Sequence, residues 1–322
     1  MEKSQHALFD TVTAFVAAHE QAAIGLGGLF IAAAVFGVGW GYRHNMSTWL
    51  ATSARVGGLL FGVTVLALEA SHGGWLTGAD QSVTAWLFTH RNSTLDQVAL
   101  AVTTALGPVE LALLTAAGAV AVGIKLRSAL GGLTVPVTVG GAAALCWLIK
   151  LLVARPRPPL VVQETLETDY SFPSGHVTGT AALVGILAVA FGLAASRVVK
   201  GVLAVVTALV VSVAALSRLY LGVHWLTDVT AGVLLAAAVV TVGATALAVL
   251  VNDAAPLAAK PALTRSPQDG AAMSLPNPSR NAPPASQIRR RGTHADSKEL
   301  STHAVCGTRN RGLANWVRHN DR

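Results

Sequence analysis

Long apolar stretches separated by short polar connections dominate the first 251 residues. Crossing a bilayer takes about 17 to 25 residues. Runs dense enough to do so are read at Ala22 to Trp40, Val98 to Val122, Leu130 to Val153, Val177 to Ala195, Gly201 to Leu216 and Val229 to Val251. A weaker, Gly-rich run covers Ala54 to Ala70, and counting it brings the spans to seven. Amphipathic alternation is missing between them, which argues against buried helices of a soluble domain. The pattern predicts an all-α, polytopic transmembrane helical bundle. Its expected parts are an N-terminal segment 1–53 with one extra span, a six-helix core over 54–251 and a tail over 252–322.

Composition strengthens this reading, because 52% of the 322 residues are hydrophobic and only 12% are charged, against roughly 25% charged in soluble domains. The residues before the first run, Glu2, Lys3, Asp10 and Glu20 among them, supply no positive n-region. That run is therefore expected to be retained as a span rather than removed as a signal peptide. Cys146 lies in an apolar run and Cys306 in the polar tail, so no disulfide framework is expected.

The tail holds seven of the 13 prolines and 11 Lys and Arg against five Asp and Glu. It reads as a disordered cytoplasmic extension. Its Arg289, Arg290 and Arg291 would either meet anionic headgroups or stay solvated.

Cytoplasmic loops retain Lys and Arg. With seven spans, Arg43, Arg55, Lys125, Arg127, Arg197, Lys200 and the tail fall on one side, expected to be the cytoplasm. The segments 71–97, 154–176 and 217–228 then share the opposite face. That face carries the residues with chemistry.

Charge at membrane depth costs about 2.5 to 3.5 kcal/mol per group, so a cluster of it marks function. Lys150, Arg157 and Arg218 would surround one anionic ligand, and guanidinium groups suit phosphate oxygens. Ser174 and Gly175 precede an apolar helix, where backbone N–H groups are free to meet an anion. His224 and Asp228 are four apart, a spacing that on a helix lets the carboxylate take one ring nitrogen and leaves the other free. His224 is thus the candidate nucleophile, and His176 the candidate acid that protonates the leaving oxygen and later activates water.

Taken in order, these residues form three motifs. Lys150 is followed by six residues and Arg157-Pro158; then comes Pro173-Ser174-Gly175-His176; then Ser217-Arg218, five residues, His224, three residues and Asp228. At these positions the chain resembles the type 2 phosphatidic acid phosphatase (PAP2) family, whose core is shared with vanadium haloperoxidases. The resemblance covers roughly Val56 to Val251 and departs from the family by the N-terminal addition, by the tail, and at Leu226, where many bacterial members have Pro.

The resemblance implies that Lys150, Arg157 and Arg218 bind phosphate, that Ser174 and Gly175 hydrogen-bond it, that His176 is the acid, and that Asp228 orients the nucleophile His224. It also implies a reaction without metal or cofactor, and no carboxylate cluster or metal-ligand spacing is read near the site. Arg155 matches no motif position and is read as added positive field.

Glu69 and Glu110 are read as buried carboxylates or helix caps. The segment 74–97, with Asp80, His90, Asp96, Trp75 and Trp86, is read as an interfacial helix pair lining lipid entry.

The expected partners are a lipid phosphate and membrane lipids, with no nucleic acid. The substrate stays open among polyprenyl phosphate or pyrophosphate, phosphatidic acid and phosphatidylglycerol phosphate, with the polyprenyl type favoured for an outward-facing site. Transfer of the phosphoryl group to an acceptor hydroxyl, or lipid-phosphate binding or transport without catalysis, would use the same residues.

Overall fold

Short polar caps decide where the apolar runs become separate helices. A computed structural model describes residues 2–42 and 46–258. Among them, the α-helices are α1 (Glu2–Gly41), α2 (Thr48–His72), α3 (Trp75–Thr89), α4 (Ser93–Ala105), α5 (Pro108–Leu126), α6 (Ala129–Val153), α7 (Gly175–Gly192), α8 (Arg197–Tyr220) and α9 (Leu226–Ala258). Ser47, Asn92, Ser128 and Ser196 each accept a backbone N–H from the first turn of the helix that follows, which satisfies a donor that has no intrahelical partner.

Seven of these helices are long and apolar enough to cross a membrane: residues Ala22–Gly41 of α1, all of α2, α5, α6, α7 and α8, and Leu226–Asp253 of α9. The weak run at Ala54 to Ala70 proves to be the middle of a 25-residue helix. The run read from Val98 to Val122 is instead two helices. Gly107 is extended and Pro108 occupies the first position of α5, because proline restricts the residue before it and fits only where an N–H is dispensable. That leaves α4 with 13 residues, roughly 20 Å at 1.5 Å per residue and too short for a span.

The core lies where α5, α6, α7 and α9 meet, around Val122, Val135, Val139, Ala142, Ile186, Ala236 and Leu247. The extra helix α1 packs on α2, and α2 packs on α9. Small residues allow that approach, since a Cβ on Gly58 would stand 2.6 Å from the Ala32 carbonyl oxygen. Large side chains along α8, including Val198, Val202, Val205 and Leu209, face outward and suit contact with lipid tails.

A helix pair does form across 74–97 and beyond, as α3 and α4. Both pack against α8, and α3 also packs against α9. Glu69 acts as a cap: its Oε2 accepts from the Leu76 N–H at 3.3 Å at the start of α3. Glu110 stands in the first turn of α5, where a carboxylate complements the helix dipole. Arg43, Cys306, the Arg289 to Arg291 cluster and the tail from residue 259 onward lie outside the described residues; residues 252–258, read as the start of the disordered tail, instead continue α9.

Candidate active site

Two connections at one end of the bundle hold the site: the loop from α6 to α7 over 154–174, and the turn from α8 to α9 over 221–225. Lys150 sits in the last turn of α6 and Arg218 in the last turn of α8, where helix C-termini favour cations. Arg157 follows Ala154, which reverses the chain with φ of 48°. The three side chains are 11%, 7% and 2% exposed respectively, so these cations are desolvated and must be paired.

Their partners are Glu167 and Asp169. Asp169 binds Lys150 Nζ at 3.0 Å and also pairs with Arg157. Glu167 Oε1 lies 2.5 Å from Arg218 Nη2, and its Oε2 lies 3.8 Å from Arg157 Nη2. All three sequence-read cations therefore converge. Sequence reading assigned no role to these two acids, which the fold of the 154–174 loop brings to the cations.

Burial by itself would raise both carboxyls. Hydrogen bonds from Arg157 and Lys150 outweigh it at Asp169 and hold that group at about 2. The hydrogen bond and charge of Arg218 likewise hold Glu167 below its ordinary range.

His224 is not on a helix, as its spacing to Asp228 suggested, but in the turn before α9. Gly222 adopts φ of 68° there, and a Cβ would run into the Val162 carbonyl oxygen. Asp228, in the first turn of α9, reaches back to accept the Trp225 N–H at 2.9 Å, the acidic half of a capping box. The same oxygen, Oδ2, lies 3.4 Å from His224 Nδ1.

With Nδ1–H donated to the carboxylate, Nε2 is the acceptor and lies 3.3 Å from Arg157 Nη1. Burial lowers the His224 pKa to about 4, against the opposing pull of Asp228. The ring is neutral near pH 7, as a nucleophile must be.

At the start of α7, Ser174 is the N-cap but makes no side-chain cap hydrogen bond. Its backbone N–H donates to the Asp228 carbonyl at 3.0 Å, which corrects the reading that this N–H is free for an anion. Its buried Oγ, like Nε of Arg218, has no partner among the described residues, so the hydroxyl is the donor Ser174 can still offer. Gly175 and His176 open the helix and line the same cavity as Lys150, Arg157 and His224.

Arg155 was read as a source of field; its position shows more. Nη1 donates to Asp228 Oδ1 at 2.6 Å and to Thr227 Oγ1 at 2.7 Å, while Nη2 donates to Asp80 Oδ2 at 2.7 Å. Sequence reasoning missed this role for Asp80, Arg155 and Thr227. The one available signal was a lone acid within the segment 75–89.

The cavity measures about 830 Å³. Lys150, Arg157, His176 and His224 line part of it. The remainder is lined by Leu111, Ala112 and Ala116 of α5 and by Pro136, Val139, Gly140 and Ala143 of α6. The lining begins at Leu106, so it draws on α5, α6 and α7 rather than on α3 and α4 as the lipid-entry reading held.

Fold and site together define a multi-pass helical membrane protein with a basic, two-histidine site lining a largely apolar cavity. Residues 131–250 match the family model described as the PAP2 superfamily, a segment that contains all three motifs. It is 40% identical over 126 residues to the decaprenylphosphoryl-5-phosphoribose phosphatase of Mycolicibacterium smegmatis, covering 37% of this chain and 60% of that protein. It is 35% identical over 111 residues to the undecaprenyl-diphosphatase of Sulfolobus acidocaldarius, covering 32% and 49% respectively. The chain thus spans only about half to three-fifths of the curated relatives it matches.

The crystal structure of a transmembrane PAP2-type phosphatidylglycerolphosphate phosphatase from Bacillus subtilis is similar in fold. Its TM-score is 0.50 at 23% identity, covering 63% of this chain and 96% of that one.

Proposed function

We propose that this site hydrolyses the phosphate ester or pyrophosphate of a membrane lipid through a phosphohistidine. One observation carries the reading: Lys150, Arg157 and Arg218 meet two carboxylates, and Lys150, Arg157 and both acids line one largely apolar cavity together with His176 and His224. Carboxylates hold these guanidinium and ammonium groups as phosphate oxygens would, and an entering phosphate takes the place of Glu167 and Asp169. Ser174 Oγ and Arg218 Nε, both buried and unpartnered among the described residues, add donors for it.

In the first step, Nε2 of His224 attacks phosphorus as the bond from phosphorus to the leaving oxygen breaks, and protonated His176 gives that oxygen its proton. The three cations stabilise charge on the equatorial oxygens. Neutral His176 then takes a proton from water, whose oxygen attacks phosphorus. The bond from nitrogen to phosphorus breaks, and inorganic phosphate leaves. Asp228 holds His224 in the required tautomer and offsets the positive charge on the phosphorylated ring.

The substrate we favour is a polyprenyl phosphate or pyrophosphate. The long apolar cavity between α5 and α6 suits a lipid chain, and two relatives are named for phosphatases of polyprenyl carriers. The site is placed on the extracytoplasmic face. Support comes from Lys125, Arg197 and Lys200, which lie toward the opposite ends of α5 and α8, and from positive-inside retention.

The test is phosphate release in detergent, with chelator present, from polyprenyl phosphate, polyprenyl pyrophosphate, phosphatidic acid and phosphatidylglycerol phosphate. Release by the wild type and none by His224→Ala is expected. Equal release by both would overturn the histidine mechanism.

A further inference from the structure

Asp80 is the one residue of α3 that is fully buried, and it is an acid. Its Oδ2 faces Arg155 Nη2 at 2.7 Å, its Oδ1 accepts the Thr227 backbone N–H at 2.8 Å, and Oδ2 also accepts from Thr227 Oγ1 at 2.7 Å. Asp80, Arg155 and Asp228 are 1%, 7% and 0% exposed. Burying three charges is a costly way to attach a short helix, since apolar residues of the same volume would do so with less desolvation. The arrangement calls for a reason beyond packing.

That reason lies in how Arg155 divides its contacts. The guanidinium gives Nη1 to Asp228 Oδ1 and Nη2 to Asp80. Asp228 therefore keeps Oδ2 for His224 Nδ1 and the Trp225 N–H. Without Asp80, Arg155 would be a buried cation with Asp228 as its one carboxylate, and a bidentate grip would draw both oxygens away from His224. The ring of Trp225, with its centroid 5.4 Å from the guanidinium carbon, closes one side of Arg155.

Building on the phosphohistidine reading above, we infer that Asp80 and Arg155 are positioning residues for the nucleophile: they fix the Asp228 carboxylate so that one oxygen orients His224. Asp80 lies outside the residues 131–250 that match the family, so α3 contributes to catalysis from beyond that segment. Neither residue touches the lipid phosphate. Their effect falls on the rate of phosphoenzyme formation rather than on binding.

The experiment is a double-mutant cycle on phosphate release. Asp80→Asn keeps the shape and the acceptor for Thr227 but removes the charge that shares Arg155. A drop in kcat on the order of 10²-fold is expected, as misplacement of a reacting group by about 1 Å produces, with KM within about threefold. In the Asp228→Asn background the same change should add almost nothing, because Asp80 acts through Asp228.

Arg155→Lys, which keeps the charge but bridges fewer acceptors, should retain more activity than Arg155→Met. It serves as the readout if Asp80→Asn does not yield folded protein. Multiplying effects in the double variant, or full kcat in both Asp80→Asn and Arg155→Met, would overturn the inference while leaving the histidine mechanism in place. Activity surviving His224→Ala would overturn the mechanism itself.

Discussion

Glu167 Oε1 stands 2.5 Å from Nη2 of Arg218, a guanidinium whose side chain is 2% exposed. Together with Asp169 across Lys150 and Arg157, this pairing sets two of the protein's own acids against the three cations of the site. A phosphate must compete with those acids to bind.

Glu167→Gln removes one competitor. The expected result is a KM for lipid phosphate lowered about two- to tenfold and inhibition by inorganic phosphate at correspondingly lower concentration, as suits a partly exposed ion pair. A raised KM would mean that Glu167 assists binding.

His176→Ala should lower lipid phosphate hydrolysis by about 10² to 10⁴-fold, the usual worth of a general acid. In single-turnover release of the leaving group the loss should be smaller for an aryl phosphate, whose leaving group needs no proton, and phosphoenzyme should accumulate because His176 also activates water. Equal losses on both substrates would remove His176 as the acid.

Acid should stop turnover when His224 takes a proton. Burial holds its pKa at about 4 rather than the ordinary 6.5, so the acid limb of kcat/KM should fall near 4. The same displacement affects stability: between about 4 and 6.5 the unfolded chain binds the proton and the folded one does not. Stability should therefore rise with pH across that window. Asp169, held at about 2 against an ordinary 3.8, contributes above 3.8, and its contribution is lost as pH falls toward 2. Thermal unfolding in detergent from pH 4 to 7 checks the first window, and a shallower profile for a His224→Asn variant would tie part of it to this ring.

Gly140→Phe should fill the apolar part of the cavity, since a Cβ at Gly140 meets nothing within 4 Å and the residue lines the wall. A severalfold rise in KM for a long-chain lipid phosphate is expected, with a short-chain phosphate unaffected. Equal behaviour of both would place the lipid chain elsewhere.

The spans and the motif residues were legible because each rests on local information. An apolar run such as Val229 to Val251 declares its own need for lipid, and Lys150, Arg157, His176, Arg218, His224 and Asp228 stand at spacings readable along the chain. The break at Gly107 and Pro108 was missed despite proline's effect on the residue before it, because the run is apolar on both sides of it.

What the sequence by itself determined is a membrane-embedded helical chain carrying the candidate site residues in a fixed order. Only the tertiary structure decided that Glu167 and Asp169 pair with the cations, that Ser174 gives its N–H to the Asp228 carbonyl, and that Asp80 meets Arg155 and Thr227. The physical reason is that the pairing of buried charges depends on distance in space. Asp80 and Arg155 are 75 residues apart, and no local pattern of apolar and polar positions records which distant acid a buried guanidinium will meet.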